Sequence, residues 1–583
     1  MRQFRKNILQ FLLLSFVFSS CEDVLDKYPQ DKLSPLTYFK TEEEIKLFTN
    51  NFYAALPTAE ALCKESADII VINELIKEVS GQREVPDQGG SWNFGALRNI
   101  NFYLENSKNC TDKAVRAKYD GLARFFRAYF YFEKVKRFGD VPWYDKVLGS
   151  TDPDLYKPRD TREYVMQRIF EDLDFAISNL PKEKQLYRVT YWTALALKSR
   201  VALFEGTFRK YHGLPEGEKY LQLCVDASEE FMKGSYTLYR EGKQPYFDLF
   251  SSFDRHGEEY ILARDYDQAL SLSHEIQVYE NSSTSGRPGL TKRIVDSYLM
   301  QDGTRFTDNP DYKSMEFKEE CQNRDLRLSQ TIRTPGYIQI GGKSKVAPNL
   351  AFTLTGYHLI KFTNHKDYDN IKGYNDIPLF RTPEVYLNLA EAKAELGTLT
   401  QEDLDRTIKP LRERAGMTAS IDLSWANAHP DPYLTNPETG YVNVKGVNQG
   451  VILEIRRERT IELIMEGFRY WDILRWKEGK AFEKPFLGIY IPGPGVYDLD
   501  GNGKSDVCFY EGEKPSVFVS LFLKLGEDIV LTEGTRGNIL CHGVHKREWR
   551  EDRDYLYPIP IQERALTSGV LTQNPGWVDG LNF

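Results

Sequence analysis

Several common sources of activity are missing from this sequence. Its seven cysteines stand at positions 21, 63, 110, 224, 321, 508 and 541, with no two close together. No CxxC or similar spacing exists, so neither a zinc site nor a dithiol redox pair is built locally. There is no GxSxG and no HExxH, which removes the usual signatures of a serine hydrolase and a zinc protease. Gly503-Lys504-Ser505 matches the tail of a phosphate loop, but Asp498 stands where that motif needs its first glycine. A glycosidase needs two carboxylates at a set separation in space, and no pair among the 85 acids is marked out by sequence. Positive charge is also in deficit. The formal net charge is −9, leaving no basic field to draw nucleic acid. Beyond the first twenty residues no apolar run is long enough to cross a bilayer, which takes ~20 residues.

The N-terminus has what the rest lacks. Arg2, Arg5 and Lys6 precede an apolar run from Ile8 to Phe18, and Ser19 and Ser20 lead to Cys21. A basic stretch, an apolar core of roughly 7–15 residues and a small-residue exit form the pattern of a secretory leader. Phe18-Ser19-Ser20-Cys21 resembles a bacterial lipobox, with Phe18 where leucine is usual. The reading is a leader at residues 1–20 and lipidation of Cys21, followed at once by Glu22 and Asp23. One acyl chain binds a membrane only marginally, at about 0.8 kcal/mol per buried CH₂, whereas two or three anchor stably. The six remaining cysteines are expected to be buried free thiols, since a chain of this size needs no disulfide staples.

Helical periodicity dominates the organisation. It predicts helices over Ala114–Arg137, Arg162–Asn179, Thr190–Phe208, Glu218–Lys233, Pro383–Leu396, Glu402–Ala415 and Val451–Lys477. In the last, Ile464, Phe468 and Trp471 mark one face, and Glu466–Arg469 and Asp472–Arg475 read as i, i+3 charge pairs. Paired helices of similar length stack into a solenoid core, so the fold class is mainly α, a tetratricopeptide-like helix-pair scaffold. Two stretches lack the period, roughly 236–375 and 485–555, and read as long irregular loops with a few short strands. Such segments are often functional. Residues 21–240 form an N-terminal helical region and 241–583 a C-terminal region of the same compact globule.

One metal-like pattern occurs. Asp498, Asp500, Asn502 and Asp506 place oxygen ligands at positions one, three, five and nine of a calcium loop, with Gly503 at the sixth. The twelfth, which should be a bidentate glutamate, is Phe509. The alternatives are a Ca²⁺ site and a solvated Asp/Gly turn. No other cofactor is indicated.

Five stretches, taken in order, carry a resemblance. They are CEDVLDKYPQDKLSPLTYFKTEEE from Cys21, LARFFRAYFYFEKVKRFGDVP from Leu122, RTPEVYLNLAEAKAELG from Arg381, EIRRERTIELIMEGFRYWDILRW from Glu454, and YPIPIQERALTSGVLTQNPGW from Tyr557. Together they resemble the SusD/RagB family of surface lipoproteins of Bacteroidetes, across nearly all of the mature chain. The family's Asn-Pro before the last motif is absent here, where Ser568-Gly569-Val570 stands. The resemblance implies a non-catalytic protein of the outer membrane, lipid-anchored and facing outward. It would capture an oligosaccharide and pass it to a SusC-like TonB-dependent transporter, with the helix pairs facing that transporter. A peptide or another nutrient as ligand, and a divergent glycoside hydrolase, stay open beside it. Sugar recognition needs flat apolar faces and planar polar groups. Trp92, in the Gly-rich stretch DQGGSWNFG, matches the place where family members carry a tryptophan, with Arg83, Asn93 and Asn101 nearby. Tyr279 and Tyr337 are the aromatic candidates of the irregular middle region. On this reading Trp92→Ala should weaken glycan binding while leaving the melting temperature unchanged.

Overall fold

A computed structural model describes residues 38–253 and 255–581. The expected leader at residues 1–20 and the expected lipidation site, Cys21, lie outside the described residues. Eleven of the helices among the described residues organise the chain. They are α1 (Glu42–Thr49), α2 (Gly95–Asn106), α3 (Lys113–Phe138), α4 (Arg162–Asn179), α5 (Tyr191–His212), α6 (Gly217–Met232), α7 (Thr382–Leu396), α8 (Gln401–Arg414), α9 (Gln449–Glu462), α10 (Arg469–Arg475) and α11 (Ile561–Leu566). Further short helices and turns, Pro245–Ser251 among them, fill the segments between them.

Local chemistry sets most of these boundaries. The Asp112 carboxylate accepts from the Ala114 and Val115 N–H groups at 2.9 and 3.1 Å and starts α3, as an N-cap should. Thr161 does the same for α4 through the Tyr164 N–H. The array then follows the predicted pairing. Helix α3 packs on α4, α4 on α5, α5 on α6, α6 on α7, and α7 on both α8 and α9. The scaffold is therefore helical and tetratricopeptide-like, as expected.

The irregular regions supply only short strands. Residues Ile70–Val71 (β1) pair antiparallel with Gly289–Leu290 (β3), and Tyr260–Arg264 (β2) with Ile377–Arg381 (β4). Residues Phe486–Ile491 (β5) pair antiparallel with Gly537–Cys541 (β9), in the register Phe486↔Cys541. A three-stranded sheet joins Gly495–Tyr497 (β6), Val507–Tyr510 (β7) and Leu521–Lys524 (β8), antiparallel then parallel. Among the described residues no helix is long and apolar enough to cross a membrane. The six described cysteines are free thiols, all but Cys321 fully buried.

The stretch 451–477, read above as one helix, is two. Helix α9 stops at Glu462, Met465 and Gly467 take left-handed φ values of 60° and 77°, and α10 begins at Arg469. The Glu65 carboxylate, some four hundred residues upstream, accepts the Met465 and Arg469 N–H groups at 3.1 and 2.8 Å and so caps the second helix. This break also redirects the expected charge pairs. Asp472–Arg475 forms, at 2.8 Å. Glu466 instead binds Arg381 and Lys361, and Arg469 binds Asp68. Ile464 is core as expected, whereas Phe468 and Trp471 are only half-buried.

Beneath the break lies a buried ionic network. Glu462 takes hydrogen bonds from Arg327, Arg381 and Arg414, and these guanidiniums reach on to Glu259, Asp325, Glu458 and Glu466. It joins β4, α8 and α9 with Glu259, the residue before β2, tying the helical scaffold to the irregular segments.

Candidate functional site

The Gly-rich stretch that carries Trp92 folds into a tight loop. Gly89, Gly90 and Ser91 all take left-handed φ values, and the Trp92 N–H closes a turn on the Gly89 carbonyl at 2.8 Å. The Asn93 Oδ1 accepts the Gly95 N–H at 2.7 Å and leads into α2. Two distant elements fix this loop. The Lys134 ammonium, on α3, donates to the Ser91 carbonyl and lies over the Phe94 and Phe130 rings. Burial, with Arg137 adding to it, pushes the Lys134 pKa down to about 8. From the other end of the chain, the Ile561 and Gln562 N–H groups donate to the Pro86 and Asp87 carbonyls at 3.0 and 2.8 Å. Helix α11 is thereby docked beside Trp92.

The result is an open cleft of about 430 Å³ between α2, the loop after α3, the turn Pro153–Tyr156 and α11. That is within the roughly 300–1,000 Å³ of small-molecule sites. Trp92, Phe94, Tyr144 and Tyr156 supply aromatic surface, and Arg98, Lys146 and Glu563 supply charge. Leu97, Leu155, Leu566 and Leu571 complete an apolar floor and rim. Tyr156 and Leu566 stand out at the mouth, 54% and 62% exposed.

The six candidate ligand residues fare differently. Trp92 lines the cleft but is only 6% exposed, packed edge-to-face on Phe94 and Phe138 at 5.5 and 4.9 Å. Replacing a core aromatic by alanine costs about 3–5 kcal/mol, so Trp92→Ala should lower the melting temperature after all. Asn101 also lines the cleft, yet its amide is spent. Nδ2 donates to the Tyr144 and Lys146 carbonyls at 2.9 and 3.3 Å, and Oδ1 accepts from Arg127. It positions the Tyr144 loop instead of facing a ligand. Asn93 is exposed beside the cleft, with its oxygen engaged in the helix start. Arg83 is buried elsewhere, paired with Asp554 at 3.2 Å and stacked among Tyr557, Trp577 and Trp549. Tyr279 is 4% exposed on the helical turn Ile276–Glu280, under the Lys64 ammonium. Tyr337 is half-buried beside Arg333. Neither tyrosine lines this cleft. Tyr144, Tyr156, Leu566 of α11 and Leu571 were not marked out by the sequence. Tyr156 did carry a signal, as an aromatic in a Pro- and Asp-rich turn, TDPDLYKPRD, where burial is disfavoured.

The Asp loop makes a separate cluster. One carboxylate oxygen from each of Asp498, Asp500 and Asp506 lies within 4.8 Å of the others. The backbone presets this convergence. Asp498 accepts the Gly501 and Gly503 N–H groups at 2.8 and 3.0 Å, and Asp506 accepts the Leu499 N–H at 2.8 Å. Burial, then repulsion from Asp500 and Asp498, raises the Asp506 pKa against those hydrogen bonds. Asn502 turns away, its Oδ1 taken by the Lys504 N–H and its Nδ2 on Asp500. Phe509 is buried in β7, so the segment leaves the loop as a strand, unlike a helix–loop–helix calcium site.

Comparison with known proteins follows the same architecture. The sequence model described as the SusD family matches residues 258–577, and one described as starch-binding, associating with outer membrane, matches residues 25–203. SusD-like protein P38 of Formosa agariphila is 24% identical, covering 84% of this chain and 95% of its own. SusD-like protein P2 of the same organism is also 24% identical, covering 98% and 100%. Among solved structures, a SusD-like protein from Bacteroides fragilis superposes with a TM-score of 0.68 at 21% identity, covering 94% of this chain and 100% of that one. A SusD-like carbohydrate binding protein from the same species gives 0.65 at 20% identity, covering 91% and 99%. At these identities the structural likeness speaks for the fold.

Proposed function

The chain belongs to the SusD family, whose sequence model covers more than half of it, and on that premise we propose that it is a glycan-binding lipoprotein of the outer membrane that transforms nothing it binds. The single observation that carries the binding reading is the cleft of about 430 Å³, where Tyr144 and Tyr156 join Trp92 within reach of Arg98, Lys146 and Glu563. A pyranose presents one C–H face to an aromatic ring and equatorial hydroxyls to planar polar groups, and this lining offers both. Trp92 acts as the floor and Tyr156 as the exposed stacking face.

The rest of the reading follows from the family. Lipid on Cys21 tethers the protein to the outer membrane, facing outward, and a SusC-like TonB-dependent transporter receives the oligosaccharide. Ca²⁺ is taken by Asp498, Asp500 and Asp506, without Asn502. The convergence of three carboxylates with mutual repulsion supports that assignment.

One observation favours a second reading. The leucines at the rim, Leu155 and Leu566, suit an apolar peptide side chain as well as a sugar. A glycan array run beside a peptide array separates the two, and new reducing ends after incubation with a bound glycan would mark a hydrolase instead. Saturable glycan binding with no new ends is expected; binding to peptides alone would overturn the proposal.

A further inference from the structure

A second cleft, of about 260 Å³, opens between α3, α5, α10 and the short helix Ala59–Cys63. Its wall includes residues of the stretches that begin at Leu122 and at Glu454, yet the charges there are not all spent on one another. The Lys136 ammonium is neutralised by Glu133 at 2.7 Å, Arg200 by Glu384 at 2.6 Å, Arg459 by Asp472 at 2.8 Å, and Arg475 by Glu391 at 2.5 Å. Arg137 differs. Among the described residues no carboxylate lies within ion-pair distance of its guanidinium, which is held only between two rings, Trp471 at 5.5 Å and Tyr557 at 4.8 Å. Trp471 is half-buried at the cleft, with the Lys136 ammonium 4.5 Å from its ring centre.

A flat indole beside an uncompensated, planar, five-donor cation is a specific chemical offer. Arginine pairs with carboxylate or sulfate oxygens through two parallel hydrogen bonds. The indole takes the C–H face of a ring. The volume falls below that of drug-sized sites, which limits the occupant to one ring. We propose that this cleft binds a single acidic sugar residue, with its ring on Trp471 and its carboxylate or sulfate ester on Arg137. The site is separate from the Trp92 cleft and shares no lining residue with it. Acidic glycans would then be held at two points and neutral ones at one.

The test titrates the mature protein with glucuronate, glucose 6-sulfate, glucose and inorganic sulfate, read by calorimetry and tryptophan fluorescence. Both acidic sugars are expected to bind saturably, and glucose to bind at least tenfold more weakly. Arg137→Gln should lose at least tenfold in affinity for the acidic sugars, and Trp471→Phe should remove the fluorescence change. Arg137→Lys keeps the charge but loses the fork, so it should fall between wild type and Arg137→Gln. The Glu533→Gln variant, changed at an exposed residue outside both clefts, should bind these probes like wild type, which separates loss at this site from a general effect of substitution. Equal binding of glucose and glucuronate, unchanged affinity in a folded Arg137→Gln, or no binding of either acidic sugar to wild type would overturn the proposal. Binding of inorganic sulfate as tightly as glucose 6-sulfate would overturn the sugar's part in it.

Discussion

Glu462 offers the sharpest test of how the fold is held together. Its carboxylate is fully buried and accepts from Arg381 at 2.7 Å, from Arg327 at 3.3 Å, and from Arg414. Burial alone would raise its pKa, but Arg414, Arg381 and Arg327 outweigh burial and hold it far below the usual carboxylate range. The substitution Glu462→Gln keeps the shape and removes the charge. It leaves three buried guanidiniums to share the remaining acids and turns an amide N–H₂ toward donors. Removing one partner from a buried ionic cluster costs about 3–5 kcal/mol, because the other charge stays buried. That is a large share of the ~5–15 kcal/mol that typically holds a domain. For cooperative unfolding of a chain this long, at ~2.1 cal/mol/K per residue, the melting temperature should fall by about 2.5–4 °C. Urea unfolding followed by tryptophan fluorescence and circular dichroism gives the free energy directly. The control is Glu533→Gln, which removes an exposed pair with Arg536 and should change stability by no more than about 0.5 kcal/mol. If Glu462→Gln unfolds within about 1 kcal/mol of wild type, the network does not carry the weight assigned to it.

Three further outcomes are expected. Burial, only partly offset by their hydrogen bonds, pushes Glu65 and Glu280 up to about 7. Between about pH 4.5 and 7 the folded chain thus holds protons that the unfolded chain has released. The stability these two groups contribute should fall as pH rises through that window, so the change in melting temperature from pH 5.5 to pH 8 should be less negative in Glu280→Gln than in wild type; an equal or more negative change would contradict it. Glu391, held down to about 2 by Arg475, Arg459 and Arg456 despite burial, acts in the opposite sense. Its contribution, present above about pH 4.5, is lost as pH falls toward 2. Ca²⁺ added to chelator-treated protein should release heat and raise the melting temperature, and Asp500→Asn should abolish both effects; silence in the calorimeter would dismiss the site. Cys21→Ala should move the protein from the membrane to the soluble fraction, and its retention in the membrane would end the anchoring claim.

How far the sequence could be read depended on the range of the interactions. Helix α4 runs over the predicted residues because Thr161 and the apolar period act locally. The break after Glu462 was invisible because Glu65, which caps α10, is remote in sequence. A Gly-rich context suggested an exposed Trp92, but Lys134, Phe138 and α11 close around it, and none of these is a sequence neighbour. Arg83 and Asn101 are the residue types that bind sugars, and both are consumed by the fold, on Asp554 and on the Tyr144 loop. Planar polar side chains serve protein carbonyls as well as sugar hydroxyls, and composition does not separate the two uses. The cleft itself needed residues 86–87 and 561–562 to meet, a contact that leaves no periodic trace.

The central claim is that the Trp92 cleft holds a glycan. Its most direct measurement is a calorimetric titration of the mature protein and of Tyr156→Ala with the oligosaccharide that binds best on an array. Tyr156 is exposed at the rim, so its removal should leave melting within about 1 °C while weakening binding at least tenfold, or about 1.4 kcal/mol. Unchanged affinity in that variant would contradict the account.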